Sequence, residues 1–271
     1  MTVAWLAGEL TTMALCWRLD RADGVTIGFT AHDRDLTIAG VVYRSSPGMV
    51  PSAIRQSDGF DVDTLDVDGA LTHDAITADD LAAGRWDGAA LTLFAADWAD
   101  TAETLVIARG EIGDVSIRDE AFTAELRGPT ALLERPVVEQ TSPDCRAALG
   151  DRRCRVDLAA RTRFARIVAV ADEVLTLDAA EPSANAYGYG RLRWLDGANA
   201  ALAAPILLSS GYTVTLRDPP TFPIEPGALV ELREGCDRLL STCRTRFGNA
   251  ANFRGEPYLP GIDLLTRYGT D

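Results

Sequence analysis

Apolar and polar residues alternate with a period of two along most of the first half of the chain. This period is typical of strands with one buried and one solvated face, and the segments are rich in β-branched residues. The dipeptides Asp23-Gly24 and Asp119-Glu120 are typical of tight hairpin turns between such strands. The predicted strands are Val25–Phe29, Asp35–Val42, Ile54–Ser57, Ala90–Phe94, Thr104–Ala108, Gly113–Arg118 and Ala121–Arg127.

Few segments have helical periodicity. Apolar residues recur at a spacing near 3.6 in Leu6–Leu15, which predicts a helix there. A second helix is predicted over Thr77–Ala83, because Thr77 lies three residues before Asp80 and can cap its start. Pro129–Leu133 is expected to form one further helical turn.

The composition of the chain changes at a short polar segment that contains proline, PVVEQTSPD, at residues 136–144. We therefore predict two domains, 1–138 and 139–271. The second begins with a cysteine- and arginine-rich stretch and continues into six strands, which predict a small β-barrel at about 160–234. These strands are Ala165–Val170, Glu173–Leu177, Gly190–Trp194, Ala204–Leu208, Tyr212–Leu216 and Leu229–Arg233. The predicted fold class is mainly β with few short helices.

Composition narrows the function. The formal net charge of the 271 residues is −14, which disfavours binding along nucleic-acid phosphates. All 26 basic residues are arginine, which excludes a Schiff-base or P-loop lysine. Glu9 and Arg18 interrupt the apolar start of the chain, so we expect neither a signal peptide nor membrane insertion. We expect folding in a cytosol, where disulfides are disfavoured.

Four of the five cysteines form two pairs. Eight residues separate Cys145 from Cys154, six separate Cys236 from Cys243, and 81 residues containing the predicted barrel lie between the pairs. An antiparallel barrel often returns its last strand beside its first, so both pairs could meet at its base. The residues leave three alternatives open, namely unliganded buried thiols, disulfides, or a metal centre with four thiolate ligands. Cys16, in an apolar stretch, is expected to be buried in a core.

The spacing bears on which metal would be bound. Structural zinc favours loops of two to four residues within each pair, whereas an iron–sulfur cubane is larger and tolerates longer loops. Nearby guanidinium groups would stabilise the negative charge that four thiolates leave on a cluster. The arginines that crowd the cysteines in sequence are Arg146, Arg152, Arg153, Arg155, Arg233, Arg238, Arg244 and Arg246.

No catalytic constellation is found. Cys16 and His32 could form a hydrolase pair, but neither lies in a nucleophile motif. The acidic run FDVDTLDVDG lacks the glycine and glutamate of a calcium loop and is more simply a strand with one solvated face. Glycosidases use a pair of carboxylates, for which Glu111, Asp114 and Glu120 are candidates. These residues lie in hairpin contexts with no aromatic platform for a sugar nearby. We therefore predict a non-enzyme.

The motif GFTAHDRDL, the two cysteine spacings and the tail FGNAANFRG together resemble the tail-hub proteins of gene transfer agents and related long-tailed phages. The cysteine spacings are also similar to those of lambda-type tail-tip proteins, which carry a [4Fe–4S] cluster. The resemblance covers nearly the whole chain. It implies an N-terminal hub-type β domain and a C-terminal cluster-binding domain with Cys145, Cys154, Cys236 and Cys243 as the four ligands.

The resemblance also implies the setting. The protein would fold in the bacterial host cytoplasm and assemble as a homotrimeric ring in the tail tip of a virion or gene transfer agent. Its partners would be the distal tail protein ring, a central fibre-like tip or receptor-binding protein, and the tape-measure protein. DNA would pass nearby without being specifically bound.

Two other functions stay open at this point. The first is a structural baseplate protein whose four cysteines bind zinc. The second, from a different class, is a cell-envelope hydrolase or peptidoglycan-binding module. Iron and zinc analysis distinguishes a zinc-binding baseplate protein from one that holds an iron–sulfur cluster. An assay of hydrolysis or binding of isolated peptidoglycan tests the cell-envelope function.

Overall fold

Strands dominate the computed structural model, which describes residues 4–7, 11–46, 50–51, 64–70, 76–118, 121–128 and 138–259. The prediction of a mainly β protein with few short helices is confirmed. The chain forms two units, Met1–Val137 and Val138–Asp271, each with its own sheet and core. The predicted Ile54–Ser57 strand, the Asp119-Glu120 turn and the Pro129–Leu133 helix lie outside the described residues.

The described part of the N-terminal unit contains one nine-stranded sheet. Its strands are β1 (Met13–Asp20), β2 (Thr26–Thr30), β3 (Leu36–Ile38), β4 (Val41–Ser45), β5 (Val50–Pro51), β6 (Thr64–Ala70), β7 (Ala90–Asp97), β8 (Thr104–Arg118) and β9 (Ala121–Arg127). Their order in the sheet is β3-β4-β2-β1-β7-β8-β9-β6-β5. The pairs are antiparallel except β2 with β4, which run parallel.

The sheet is buried on both faces at its centre. On β1, Trp17 and Leu19 pack into one core cluster, while Ala14 and Cys16 pack into a second. Strand β7, which pairs with β1, is also buried on both faces, because Leu93 packs into the first cluster and Phe94 into the second. A strand buried on both faces loses the alternation that a half-buried strand shows.

This double burial explains why the predicted helix at Leu6–Leu15 is wrong. Residues 4–6 form a single 3-10 turn, and Met13–Leu15 belong to the central strand β1. The nearly continuous apolar run MALCW satisfies helical and strand periodicity alike, because both faces of the strand meet a core. Residues 8–10 of the predicted helix lie outside the described part of the chain.

Two strand boundaries also differ from prediction. Asp35–Val42 is a hairpin of β3 and β4, because Ala39 and Gly40 both have positive φ angles, 49° and 81°, and turn the chain. Thr104–Ala108 and Gly113–Arg118 belong to one strand, β8, whose pairing with β9 is irregular between Ile112 and Val115. The acidic run contributes strand β6 from Thr64 onward, while its residues 60–63 lie outside the described part of the chain.

The predicted capped helix is confirmed as α1 (Ala78–Ala82). The Thr77 hydroxyl accepts a hydrogen bond of 3.1 Å from the Asp80 backbone N–H, which satisfies a donor left free at the helix start. Leu81 anchors the helix by packing into the first core cluster. Among the described residues no helix is long and apolar enough to span a membrane.

The C-terminal unit is built around a closed six-stranded barrel with the order β10-β11-β14-β13-β12-β15. All six predicted strands are confirmed, and Leu229–Arg233 has the predicted bounds. Alternate residues such as Leu175, Leu192 and Leu232 point into the barrel core and are almost fully buried. The strands are β10 (Thr162–Ala171), β11 (Val174–Leu177), β12 (Arg191–Trp194), β13 (Ala203–Ser210), β14 (Thr213–Leu216) and β15 (Leu229–Arg233). A short helix, α2 (Leu240–Thr245), follows the barrel.

Candidate metal centre

Barrel closure brings the two cysteine pairs to one end of the C-terminal unit. The first strand, β10, pairs with the last, β15, so that Thr162 lies opposite Arg233. Cys154 comes shortly before β10, and Cys236 comes directly after β15. The 81 residues between the pairs therefore begin and end side by side.

Backbone contacts tie the cysteine segments to one another. The Cys145 N–H donates to the Arg238 carbonyl at 2.9 Å, joining the first cysteine to the segment that holds Cys236. The Asn249 N–H donates to the Cys243 carbonyl at 2.9 Å. The Asn249 side-chain amide in turn donates to the Cys154 carbonyl at 2.6 Å, which joins the second cysteine to the fourth.

Each segment has its own local support. The Asp151 carboxylate accepts three backbone N–H groups, from Cys154 at 2.6 Å, Arg153 at 2.8 Å and Ala148 at 2.9 Å. These bonds, the one from Cys154 most of all, lower the pKa of Asp151. Cys243 lies on α2 and is buried. Gly235 precedes Cys236 at a point where any Cβ would overlap the backbone of Gly188 and Gly190.

Three of the four sulfurs accept hydrogen bonds among the described contacts. The backbone N–H groups of Arg254 and Arg238 donate to the Sγ atoms of Cys145 and Cys236, each at 3.4 Å. The Asn249 amide lies 3.6 Å from Cys154 Sγ. Hydrogen bonds of this kind stabilise negative charge on sulfur, and they are a feature by which proteins tune bound iron–sulfur clusters.

The thiols of Cys145 and Cys154 are close enough to influence the pKa values of Cys236 and Cys243. Burial raises the pKa of Cys236 most, and the charges of Asp237, Cys145 and Cys154 raise it further against the opposing Arg238 N–H. Burial also raises the pKa of Cys243, together with the charges of Cys236, Cys145 and Cys154. Four neighbouring thiolates are unfavourable by themselves, and a bound cation or cationic cluster reverses that balance.

Within the described residues, no group of three or more His, Cys, Asp or Glu side chains is placed to hold one metal ion. A zinc ion with Zn–S bonds of about 2.3 Å needs its tetrahedral sulfurs roughly 3.8 Å apart. A cubane binds each thiolate to a different iron and therefore suits a wider set of thiols. All five cysteines are free thiols.

Two ion-pair groups involve residues that are close to the cysteines in sequence. Glu234, of which the side chain is 3% exposed, lies 2.8 Å from Arg246 and 3.3 Å from Arg161. Both guanidinium groups also lie over the ring of Phe247. This group joins the end of β15, the start of β10 and the end of α2.

The second group ties the tail to the first cysteine segment. Arg146 binds both carboxylate oxygens of Glu256, at 2.6 and 2.8 Å, and also pairs with Glu139. The guanidinium of Arg146 is the main cause that lowers the pKa of Glu256 to about 2. Glu139 pairs with Arg153 as well. Three of the arginines expected to stabilise a negatively charged cluster are thus paired with carboxylates instead. They are Arg146, Arg153 and Arg246.

The other sequence candidates do not assemble into a site. Cys16 is fully buried, as predicted, and its thiol donates to the Thr30 hydroxyl at 3.4 Å. His32 accepts the Arg34 backbone N–H at 3.1 Å and stacks near Trp98. The residue that sequence reasoning missed is Asn249, whose only signal is its place in the asparagine-bearing segment after Cys243.

Comparison with known families and structures decides the class. The family model described as baseplate hub protein, N-terminal attachment domain, matches residues 2–157, more than half of the chain. The chain belongs to this baseplate hub family. These are structural proteins of phage tails and baseplates, in agreement with the prediction of a non-enzyme. The matched range includes Cys145 and Cys154.

A second model, described as phage conserved hypothetical protein BR0599, matches residues 185–263 and includes Cys236, Cys243 and Asn249. Among solved structures, the hub chain is similar to a chain of the "Virion of native gene transfer agent (GTA) particle". The identity is 39%, the TM-score is 0.87, and the match covers 99% of this chain and 95% of that one. The predicted resemblance to gene transfer agent tail proteins is confirmed. No curated protein matches the chain.

Proposed function

We propose that this hub protein joins the distal end of a phage-like tail tube to the peripheral tip proteins, and that a [4Fe–4S] cluster staples its C-terminal unit. The single observation that carries the cluster is the convergence of four thiols from segments 81 residues apart. Cys145, Cys154, Cys236 and Cys243 would each bind one iron. Bound there, the cluster supplies iron–thiolate bonds that cross-link the two segments.

A structural role for the cluster follows from chain entropy. Closing a loop of 81 residues removes freedom from the unfolded chain worth on the order of 4 kcal/mol. In a reducing compartment a disulfide would not persist, whereas a metal–thiolate cross-link would. Cys154 and Cys243 are 9% and 8% exposed, so half of the ligand set is shielded from solvent.

We infer the assembly from the similarity to a gene transfer agent virion chain. Three copies would form a ring around the DNA exit path, in contact with the distal tail protein ring, the tape-measure protein and a central fibre-like tip or receptor-binding protein. A net charge of −14 suits a conduit wall, because an acidic surface does not retain passing DNA. Mass photometry of the purified chain tests the ring, and a stable monomer at every concentration would contradict the trimer.

The cluster is tested by anaerobic purification with a visible absorption spectrum and with iron, sulfide and zinc analysis. We expect a brown protein with about four irons per chain. The matched pair of variants is Cys243→Ser and Cys16→Ser. Only the first removes a proposed ligand, so only the first should lose iron and the absorbance near 400 nm.

Other outcomes separate the alternatives. One zinc per chain without iron would replace the cluster by a zinc staple and leave the hub assignment intact. A colourless protein with neither metal would leave four unliganded thiols. Equal iron loss in Cys16→Ser and Cys243→Ser would show that the iron does not depend on the converging cysteines.

A further inference from the structure

A cavity of about 420 Å³ lies beside the barrel and is lined by four arginines. They are Arg191 at the start of β12, Arg217 after β14, Arg233 at the end of β15, and Arg238 in the segment beyond it. We call this cavity the arginine pocket. The chain has a net charge of −14, so four guanidinium groups around one cavity make this part of its surface locally positive.

The carboxylates in the wall of the arginine pocket are already engaged. Glu234 is buried between Arg161 and Arg246, neither of which lines the pocket. Asp237 accepts the Leu239 backbone N–H at 3.0 Å and the Thr242 hydroxyl at 2.7 Å. Glu234 is thus compensated by arginines outside the pocket, whereas Asp237 keeps one negative charge in the wall against the four arginines.

The sheet register places two of these arginines against each other. On β12 and β15, Arg191 lies directly opposite Arg233, and two positions further along Arg193 lies opposite Glu231. Like charges on directly opposed residues destabilise a sheet, whereas opposite charges stabilise it. The unfavourable pair occurs only where the strands border the pocket.

Donors in the pocket also lack acceptors. Among the described residues, no carboxylate lies within ion-pair distance of Arg191, Arg217 or Arg238. Arg233 has one distant partner, Glu231 at 3.6 Å, and its Nε is buried with no hydrogen-bond acceptor in the described structure. A guanidinium presents donors in a planar fork that matches the two oxygens of a carboxylate.

We propose that the arginine pocket binds carboxylate side chains of an acidic peptide segment from a partner protein. The volume is that of a small-ligand cleft, large enough for a few side chains. The rim contributes the exposed ring of Tyr189 and the apolar Leu149 and Pro205, which suit a polypeptide. Nucleic acid is disfavoured, because its phosphates are tracked by extended basic grooves with stacked bases, while these arginines converge on one cavity.

The test uses the full hub chain and a fluorescent short peptide of alternating glutamate and glycine, read by anisotropy at low salt. Arg191→Gln and Arg217→Gln should each weaken binding about tenfold or more, since each removes a charge-assisted contact. Arg193→Gln is the matched control, because it removes the same charge from the same face of β12 outside the pocket. Thermal unfolding of every variant checks that the fold is retained.

Each outcome decides the proposal. Saturable binding that the two pocket variants weaken and Arg193→Gln does not would support it. Equal weakening by all three variants would overturn it in favour of diffuse surface attraction. Tighter, pocket-dependent binding of a single-stranded oligonucleotide would replace the peptide by nucleic acid. Failure of the wild-type chain to bind the glutamate peptide better than a glutamine–glycine peptide would also overturn it. Because Cys236 also lines the pocket, all proteins are compared at matched iron content.

Discussion

Asn249 joins two cysteine segments through one side chain and one backbone group. Its side-chain amide donates to Cys154, and its backbone N–H donates to Cys243. Asn252 supports it by donating to its side-chain oxygen at 2.7 Å. The residue thus acts as a bracket between the two buried cysteines, and its only signal in the sequence is its place in the asparagine-bearing segment after Cys243.

Replacing Asn249 should loosen the centre more than replacing its neighbour. Asn249→Asp keeps the size of the side chain but removes the amide donor and puts a negative charge beside Cys154 Sγ. We expect iron content in that variant to fall by half or more. Asn252→Ala, which removes only the supporting contact, should retain most of the iron. Equal iron content in both variants and the wild type would rule out the bracket.

Glu234 is the residue on which the surrounding ion pairs depend. Glu234→Ala leaves the guanidiniums of Arg161 and Arg246 without a buried carboxylate, and breaking such a pair costs about 3 kcal/mol. Glu231→Ala on the same strand removes a 3.6 Å contact with Arg233 and the oppositely charged cross-strand neighbour of Arg193. We expect its cost to be well under 1 kcal/mol. Urea unfolding of the two variants measures the difference, and equal costs would contradict the role of Glu234.

At the scale of elements, the loop after α2 is held by the pair of Arg146 and Glu256. The pKa of Glu256 lies at about 2 in the folded protein, below its ordinary value of 4.5. A depressed folded pKa contributes stability above pH 4.5 that is lost as the pH falls toward 2. Acid should therefore weaken the attachment of residues 250–259 to the first cysteine segment.

The comparison of wild type with Glu256→Gln tests this attachment. The stability advantage of the wild type should be constant above pH 5 and shrink between pH 4.5 and pH 2. Arg146→Gln should abolish the same pH dependence, because it removes the main cause of the shift. Wild type and Glu256→Gln both keep all cysteines. Any loss of bound metal in acid therefore affects both proteins and largely cancels in the difference between their stabilities. An advantage that does not change with pH would contradict the ion pair.

The barrel strands that sequence predicts correctly have one solvated face. In the barrel, the residues of β11, β14 and β15 alternate between inside and outside, and their periodicity marks them well. Strand β1 fails because two cores bury both its faces. The split of Asp35–Val42 into a hairpin depends on a left-handed Ala39, a conformation that alanine rarely signals. The meeting of the cysteine pairs could be anticipated only because a closed barrel returns to its start.

At the scale of the whole molecule, the proposed staple concerns one unit only. The first core cluster and the barrel core belong to different units, and all four converging cysteines lie in Val138–Asp271. Loss of a cross-link should therefore destabilise the second unit and spare the first.

Hydrogen exchange after anaerobic iron removal by a chelator measures this directly. Amides of β10 and β15 should exchange faster by at least tenfold, since the lost cross-link is worth several kcal/mol. Amides of β1 and β7 should keep their protection. The same chelator treatment of Cys243→Ser is the control and should change neither set. Uniform acceleration throughout the chain would show that the two units unfold together.

Because the barrel lies between the cysteine pairs in sequence, the two pairs are synthesised at different times. When Cys154 leaves the ribosome, 81 residues still precede Cys236, and Cys145 has left earlier still. At about 5–20 residues per second, the first two thiols wait on the order of 4–16 seconds for their partners. A cofactor that needs all four ligands can be inserted only after translation has passed Cys243 and the barrel has closed. Delivery of the proposed cluster would thus be a late step in maturation, and a shortage of iron would leave hub chains that are fully synthesised but unfinished.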